Sequence, residues 1–192
     1  MIASSRKPAT IEDLRARGDS DRLEIICGEI VEKAAPSPGH SLAETKLVAA
    51  IDPFNRRPGT RGPGGWWIFV EIHVEYSGGE LYCHDAAGWR RDRVPTRPTE
   101  WPIRIRPDWV CEIVSPKHER NDLVDKPRVL HRAEVPHYWI LDPDERILLV
   151  HRWSPAGYTV VQRAAADEKI RAEPFDAIEL RVGVLFGDEE DD

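Results

Sequence analysis

A chain that buries an ionised carboxylate in a sheet must also supply a cation or donors to meet it, because the uncompensated charge costs several kcal/mol. The run Pro107-Asp108-Trp109-Val110-Cys111-Glu112-Ile113-Val114-Ser115-Pro116 sets that condition. Its apolar, β-branched body reads as a buried strand, yet Glu112 lies within it. Upstream, Leu81-Tyr82-Cys83-His84-Asp85-Ala86-Ala87 is a second strand-like run with an acid near its end. Two strand-borne carboxylates suggest a metal. Lys126, at the opening of a helical pattern that begins near Asn121-Asp122, is close enough in sequence to fold back beside Glu112. Asp, Glu and Lys together point to hydrolysis of a phosphodiester.

The 192 residues are expected to form a single domain over 1–187, with one sizeable core and a disordered acidic tail over 188–192. Charged residues at 32 % and hydrophobic ones at 41 % are ordinary for a globular chain, and no apolar run approaches the roughly 18 residues of a membrane helix. Met1 to Lys7 lack the apolar core of a secretory signal, so a cytoplasmic location is expected. Cys27, Cys83 and Cys111 lack C-x-x-C spacing and are read as reduced core thiols.

The net charge of −7 is concentrated in the five acids of the tail, so a polyanionic partner is not excluded. Six Arg between Arg90 and Arg106 face only Asp92 and Glu100. Arg90, Arg91 and Arg93 are therefore candidates for following a phosphate backbone, with a solvated charged loop as the alternative.

Along the chain, Thr10 caps a short helix to about Arg17, and Leu23–Glu32 reads as a hairpin turned at Gly28. Ser37-Pro38 opens a helix carrying Leu42, Leu47, Val48 and Ile51. A long strand over 66–76 is expected to keep Ile68, Val70, Ile72, Val74 and Tyr76 on one face. Strands around 81–87 and 108–115 follow, then a helix ending near Glu134, then strands over 137–142, 146–153 and 158–163. This order predicts an α/β fold built on one mixed sheet, with an N-terminal helix and hairpin and a C-terminal antiparallel extension.

Strand parity puts Asp108, Val110, Glu112 and Val114 on one face, and an antiparallel return brings Lys126 within reach of Glu112. A carboxylate pair at Asp85 and Glu112 would hold a hard divalent ion, while Lys126 orients water or stabilises the transition state. The same spacing also suits a turn acid, an ion-paired strand acid and a helix-surface cation. Glu71, His73 and Glu75 share a strand face, and His40 and Glu44 are one helical turn apart. Glu71 and His40 rank first among these as additional residues lining the site. Gly39-His40-Ser41-Leu42-Ala43 lacks the preceding strand of a nucleophile elbow. Most of the seven Trp read as core, with Trp89 and Trp101 left as candidate stacking platforms.

The chain also resembles the Uma-two family of restriction-endonuclease-like proteins, within the PD-(D/E)XK nuclease superfamily. The likeness runs from Ile11 to Phe186 and rests on Arg22 to Val31, Ser37-Pro38-Gly39-His40, Gly64 to Ile68, His84 to Arg91, Pro107 to Pro116, and Tyr138 to Pro143. It implies that Asp85 is the superfamily's aspartate, Glu112 the acid of its second motif, and Lys126 a lysine relocated to the helix, Val114 standing where an E-x-K lysine would be. His84 replaces a usual proline, Leu130 a frequent Tyr, and Glu134 a helix-ending Gly. The expectation is a restriction-endonuclease-like fold that cleaves phosphodiesters with Mg2+ or Mn2+, on nucleic acid and specifically DNA, away from membranes. A homodimer is compatible with such a chain. The alternative is a nucleic-acid-binding or assembly module that keeps the fold without turnover.

Overall fold

The computed structural model describes residues 7–18, 21–59, 62–115 and 124–189. Helix α1 (Ile11–Arg15) starts at Thr10, whose hydroxyl accepts from the Asp13 N–H while the Asp13 carboxylate accepts from the Thr10 N–H. β1 (Leu23–Ile26) and β2 (Glu29–Glu32) form the expected antiparallel hairpin. Its turn places Cys27 and Gly28 at φ 52° and 76°, the two positive values that a two-residue type I′ turn needs. Cys27 is consequently exposed at a turn, which corrects its reading as a core thiol; Cys83 and Cys111 are buried. α2 (Pro38–Ile51) is capped by Ser37, which accepts from the His40 N–H at 3.1 Å. Its inward stripe is His40, Ala43, Leu47 and Ile51, so a single polar group enters the core at its first turn.

β3 (Trp66–Tyr76) pairs with β4 (Glu80–Arg90), and β4 pairs in turn with β1 and with β5 (Trp109–Ile113). The sheet continues through β6 (His137–Asp142), β7 (Ile147–Ser154) and β8 (Gly157–Ala165), in the order β2-β1-β4-β5-β6-β7-β8 with β3 also on β4. β5 and β6 run parallel, and α3 (Lys126–Arg132) lies in the connection between them. A small ribbon of β9 (Lys169–Ile170) and β10 (Leu180–Arg181) and a 3₁₀ turn over Val182–Phe186 complete the chain. Asp188, counted above with the acidic tail, accepts from Arg146 Nη2 through both oxygens at 2.7 Å; residues 190–192 lie outside the described ones. Among the described residues no helix is long and apolar enough to cross a membrane.

α3 begins at Lys126 with Pro127 in its first turn, where a missing N–H leaves no hydrogen bond unmade. Residues 121–123, expected to open this helix, lie outside the described residues. At its other end Glu134 adopts φ 56° while the Val135 N–H returns to Leu130 O at 3.0 Å, the closure for which a glycine is usual.

Apolar clusters cover both faces of the sheet. Leu47, Ile51, Trp109, Trp139 and Phe175 pack on the α2 side, and Val74, Tyr82, Trp89, Val110 and Leu130 on the α3 side. Trp89 is buried, its Nε1 donating to Ile105 O, so it cannot serve as a stacking platform.

β3 does not keep the single alternation expected of it. Trp66 and Ile68 join the α2-side core, whereas Ile72, Val74 and Tyr76 join the other, and Val70 is 42 % exposed. The change falls at Glu71, whose φ of 45° is left-handed. β4 changes parity opposite it: Tyr82 and Ala87, an odd number of residues apart, face the same core. A left-handed residue rotates the strand within the ladder, and the matching change carries Asp85 toward the start of α2. Left-handed backbone in a non-glycine residue costs about 1 kcal/mol. Glu71→Gly should therefore be at least as stable as the parent, and Glu71→Val about 1–2 kcal/mol less stable than Glu71→Gly. Coincident urea melts of the two variants would show that no left-handed residue is needed there.

Candidate functional site

The register that pairs Ala86 with Cys111 brings Asp85 of β4 toward Glu112 of β5, both almost fully buried. Asp85 Oδ2 accepts from the Ile113 N–H at 2.5 Å, while Oδ1 lies 2.6 Å from Lys33 Nζ and 3.4 Å from His40 Nε2. Lys33, the first residue after β2, also reaches Glu71 Oε2 at 3.0 Å. His40 is held from its far side by Ser115 Oγ, 3.0 Å from Nδ1. Burial alone would raise the Asp85 carboxyl, but the Lys33 charge and the adjacent His40 imidazole outweigh it and hold Asp85 well below the usual carboxylate range. Burial likewise lowers Lys33 and His40, and in both the nearby Asp85 outweighs it, so each is raised.

Glu112 has a different company. Oε1 is 2.5 Å from His84 Nδ1, and Oε2 accepts from Lys126 Nζ at 2.9 Å. Lys126 also meets Glu24 Oε1 at 3.1 Å, and that oxygen accepts from the Cys83 N–H. His84 Nε2 lies 2.7 Å from the Tyr76 hydroxyl, which extends the chain of polar contacts into the α3-side core. Burial pushes the Glu112 carboxyl up to about 8 in spite of Lys126. Burial and then Lys126 drive His84 well below the ordinary range, so its ring is neutral. The two strand acids are thus pushed apart, Asp85 ionised and Glu112 able to hold a proton near neutral pH, a division of states seen where carboxyl groups take different tasks.

Of the residues singled out in the sequence, Asp85, Glu71 and His40 converge, each offering one ligand atom within 4.8 Å of the others. Glu112 and Lys126 converge on each other, with both Glu112 oxygens facing His84 and Lys126 rather than the Asp85 group. The two carboxylate oxygens suit Mg2+ or Mn2+, and the imidazole nitrogen suits Mn2+ better than the harder Mg2+. Asp85 Oδ1 and His40 Nε2 are two of the five buried side-chain atoms without a hydrogen-bond partner among the described residues, the others being on Glu75, Trp109 and His137. Glu44, a turn beyond His40, is raised by burial and then by the charges of Glu71 and Asp85. Five carboxyl groups thus gather here, those of Glu24, Glu44, Glu71, Asp85 and Glu112, with Lys33 and Lys126 as the described ammonium groups among them. The donor set, the undirected buried atoms and the surplus of acid all fit a divalent cation.

The sequence reading missed Glu24 and Lys33. Glu24 carried the signal that exposed Glu112, an acid inside an apolar strand. Lys33 carried none, since a lysine at a strand end usually faces water. The three arginines stand elsewhere: Arg90 lies five residues, roughly 16 Å by strand rise, beyond Asp85 on β4. Each has an intramolecular partner, Arg90 with Asp92 at 2.6 Å, Arg91 stacked 3.5 Å above Trp67, and Arg93 on Asp108 at 2.8 Å. Of the three, Arg93 braces the end of the sheet through the buried Asp108.

A family model described as "Uma2: Putative restriction endonuclease" matches residues 8–183. A crystal structure from Anabaena variabilis, described as "a putative nuclease belonging to DUF820", superposes with a TM-score of 0.73 and 21 % identity, covering 93 % of this chain and 98 % of that one. That likeness is one of fold: a mixed sheet with few helices, of the restriction-endonuclease-like kind. No curated protein matches.

Two stability measurements separate bracing from the site. Arg93→Ala leaves the buried Asp108 carboxylate with the Arg90 N–H and a distant Arg106 and should cost about 1–2 kcal/mol in denaturant melts, whereas Arg90→Ala, which breaks a surface pair, should stay within about 0.5 kcal/mol. For Glu112 the folded pKa lies above the unfolded one, so its contribution is complete below the unfolded value near 4.5 and is lost as pH rises through about 8. Glu112→Gln should abolish that decline, and the variant should gain on the parent by a few kcal/mol between about pH 5 and pH 8 without added metal. Parallel stability curves across that range would contradict the raised carboxyl.

Proposed function

The chain belongs to the Uma2 family, and from that premise we propose that it is a cytoplasmic, Mg2+- or Mn2+-dependent endonuclease that hydrolyses phosphodiester bonds of DNA. The observation that carries this reading is the group of Asp85, Glu71 and His40, three convergent ligands in an acidic surround. They would hold the ion, which when bound neutralises charge on the phosphate and makes hydroxide accessible at neutral pH.

The chain's own groups perform the remaining work. Asp85 stays ionised throughout the physiological range, so it needs no proton loss to act as a ligand. Glu112, as the second acid, has the pKa of a general base, and a proton taken at its carboxyl can be shared with His84 Nδ1, 2.5 Å away. Lys126 orients that carboxylate, with Glu24 fixing the ammonium from the other side, and its charge lies where it opposes the negative charge that develops as water attacks. Arg128 and Arg132 of α3 line a separate groove of about 660 Å3, where a polyanion could meet two guanidinium groups.

One observation favours a second reading, a nucleic-acid-binding or assembly module without turnover: Glu112 and Lys126 already satisfy each other, as a purely structural ion pair would. Incubation of the purified protein with supercoiled, linear and single-stranded DNA decides between them. The proposed enzyme nicks or cuts in Mn2+ or Mg2+ and stops in EDTA. Asp85→Asn should lose both ion binding and at least about 100-fold in rate, while Lys126→Met loses rate and keeps most ion affinity. Ion binding without cleavage of any substrate would leave the module.

A further inference from the structure

Among the described residues Lys33 is the ammonium placed against the candidate ligands themselves. Its Nζ lies 2.6 Å from Asp85 Oδ1 and 3.0 Å from Glu71 Oε2, so it bridges two of the three groups whose atoms could surround an ion. Its side chain is 11 % exposed, against 41 % for Glu71 and 2 % for Asp85, which puts it between the buried acid and the solvent side of the cluster. No hydrogen bond of good direction joins Lys33 to Asp85 Oδ1, so the contact is one of charge, open to exchange. Lys126 differs, because it donates to Glu112, outside the ligand group.

We propose that Lys33 is the resident counter-ion of the divalent-ion position, neutralising Asp85 and Glu71 before the ion arrives and yielding them when it binds. The inference rests on the metal-dependent reading above. An ammonium bridging these two oxygens and a divalent ion coordinated by both cannot share the space between them, since cation–oxygen coordination distances of roughly 2.0–2.6 Å leave no room for Nζ. Lys33 is thus a positioning residue that sets ion affinity: it holds Asp85 and Glu71 close together, and binding becomes an exchange of one cation for another rather than the filling of a bare anionic hole. Removing the competitor tightens the ion, and strengthening it weakens the ion.

The test is titration of the full chain with Mn2+ by calorimetry, in the parent and in Lys33→Met and Lys33→Arg. Loss of the ammonium should lower the Mn2+ dissociation constant by roughly tenfold, the effect of about one pK unit of charge interaction. The arginine fork, which grips carboxylates through two bonds, should raise it. A structural role for Lys33 predicts the reverse for Lys33→Met, weaker or unchanged binding in a loosened site. The parent itself supplies a second measurement that needs no variant: acylation of Lys33 by acetic anhydride, read by peptide mass spectrometry, should rise several-fold on saturation with Mn2+ as the ammonium leaves Asp85. Mn2+ binding with Lys33 equally protected and no tightening in Lys33→Met overturns the exchange while leaving the metal centre standing. Absence of Mn2+ binding in all three proteins overturns both.

Discussion

Everything in this molecule is arranged around the burial of two acids on neighbouring strands. Asp85 and Glu112 leave water when β4 and β5 pair, and neither strand sets a lysine or arginine against them. Each acid is answered from outside that pair, Asp85 by Lys33 after the N-terminal hairpin and Glu112 by Lys126 at the head of α3. A cation removed from a buried acid exposes a penalty of several kcal/mol. The docking of the hairpin and of the crossover helix is therefore an electrostatic requirement of the sheet as well as a matter of apolar contact.

The division of labour between the acids follows from what surrounds each. Asp85 sits by the ligand-bearing start of α2 with an ammonium and an imidazole beside it, and its ionised form is favoured. Glu112 faces the α3-side core, with a neutral imidazole and a tyrosine beyond it, and burial dominates. The left-handed residue at Glu71 makes this possible, since it lets one continuous hairpin present its polar residues to two different faces.

Much of the fold was legible because its signals are local. The capping residues Thr10 and Ser37, the Cys27-Gly28 turn and the apolar stripe of α2 act within a few residues of themselves. Glu112 was legible for the related reason that an acid in an apolar strand is a contradiction needing a partner, and Lys126 is the partner found there. Period-two reasoning failed on β3 because a single positive φ inverts every later side chain, and nothing in the residue type of Glu71 announces it. Charge counted along the loop did not show that Asp108 takes Arg93 inward, because that carboxylate lies on the far side of the loop in sequence. Lys33 was invisible because its significance lies wholly in a contact with distant strands.

The pairing of Lys126 with both Glu24 and Glu112 joins the N-terminal hairpin, a central strand and the crossover helix at one nitrogen. Contacts between segments so far apart in sequence form late in folding, after the loops between them have been closed at an entropic cost. The centre thus exists only in the complete tertiary structure, and a form that lacks either end of that bridge lacks the assembled cluster.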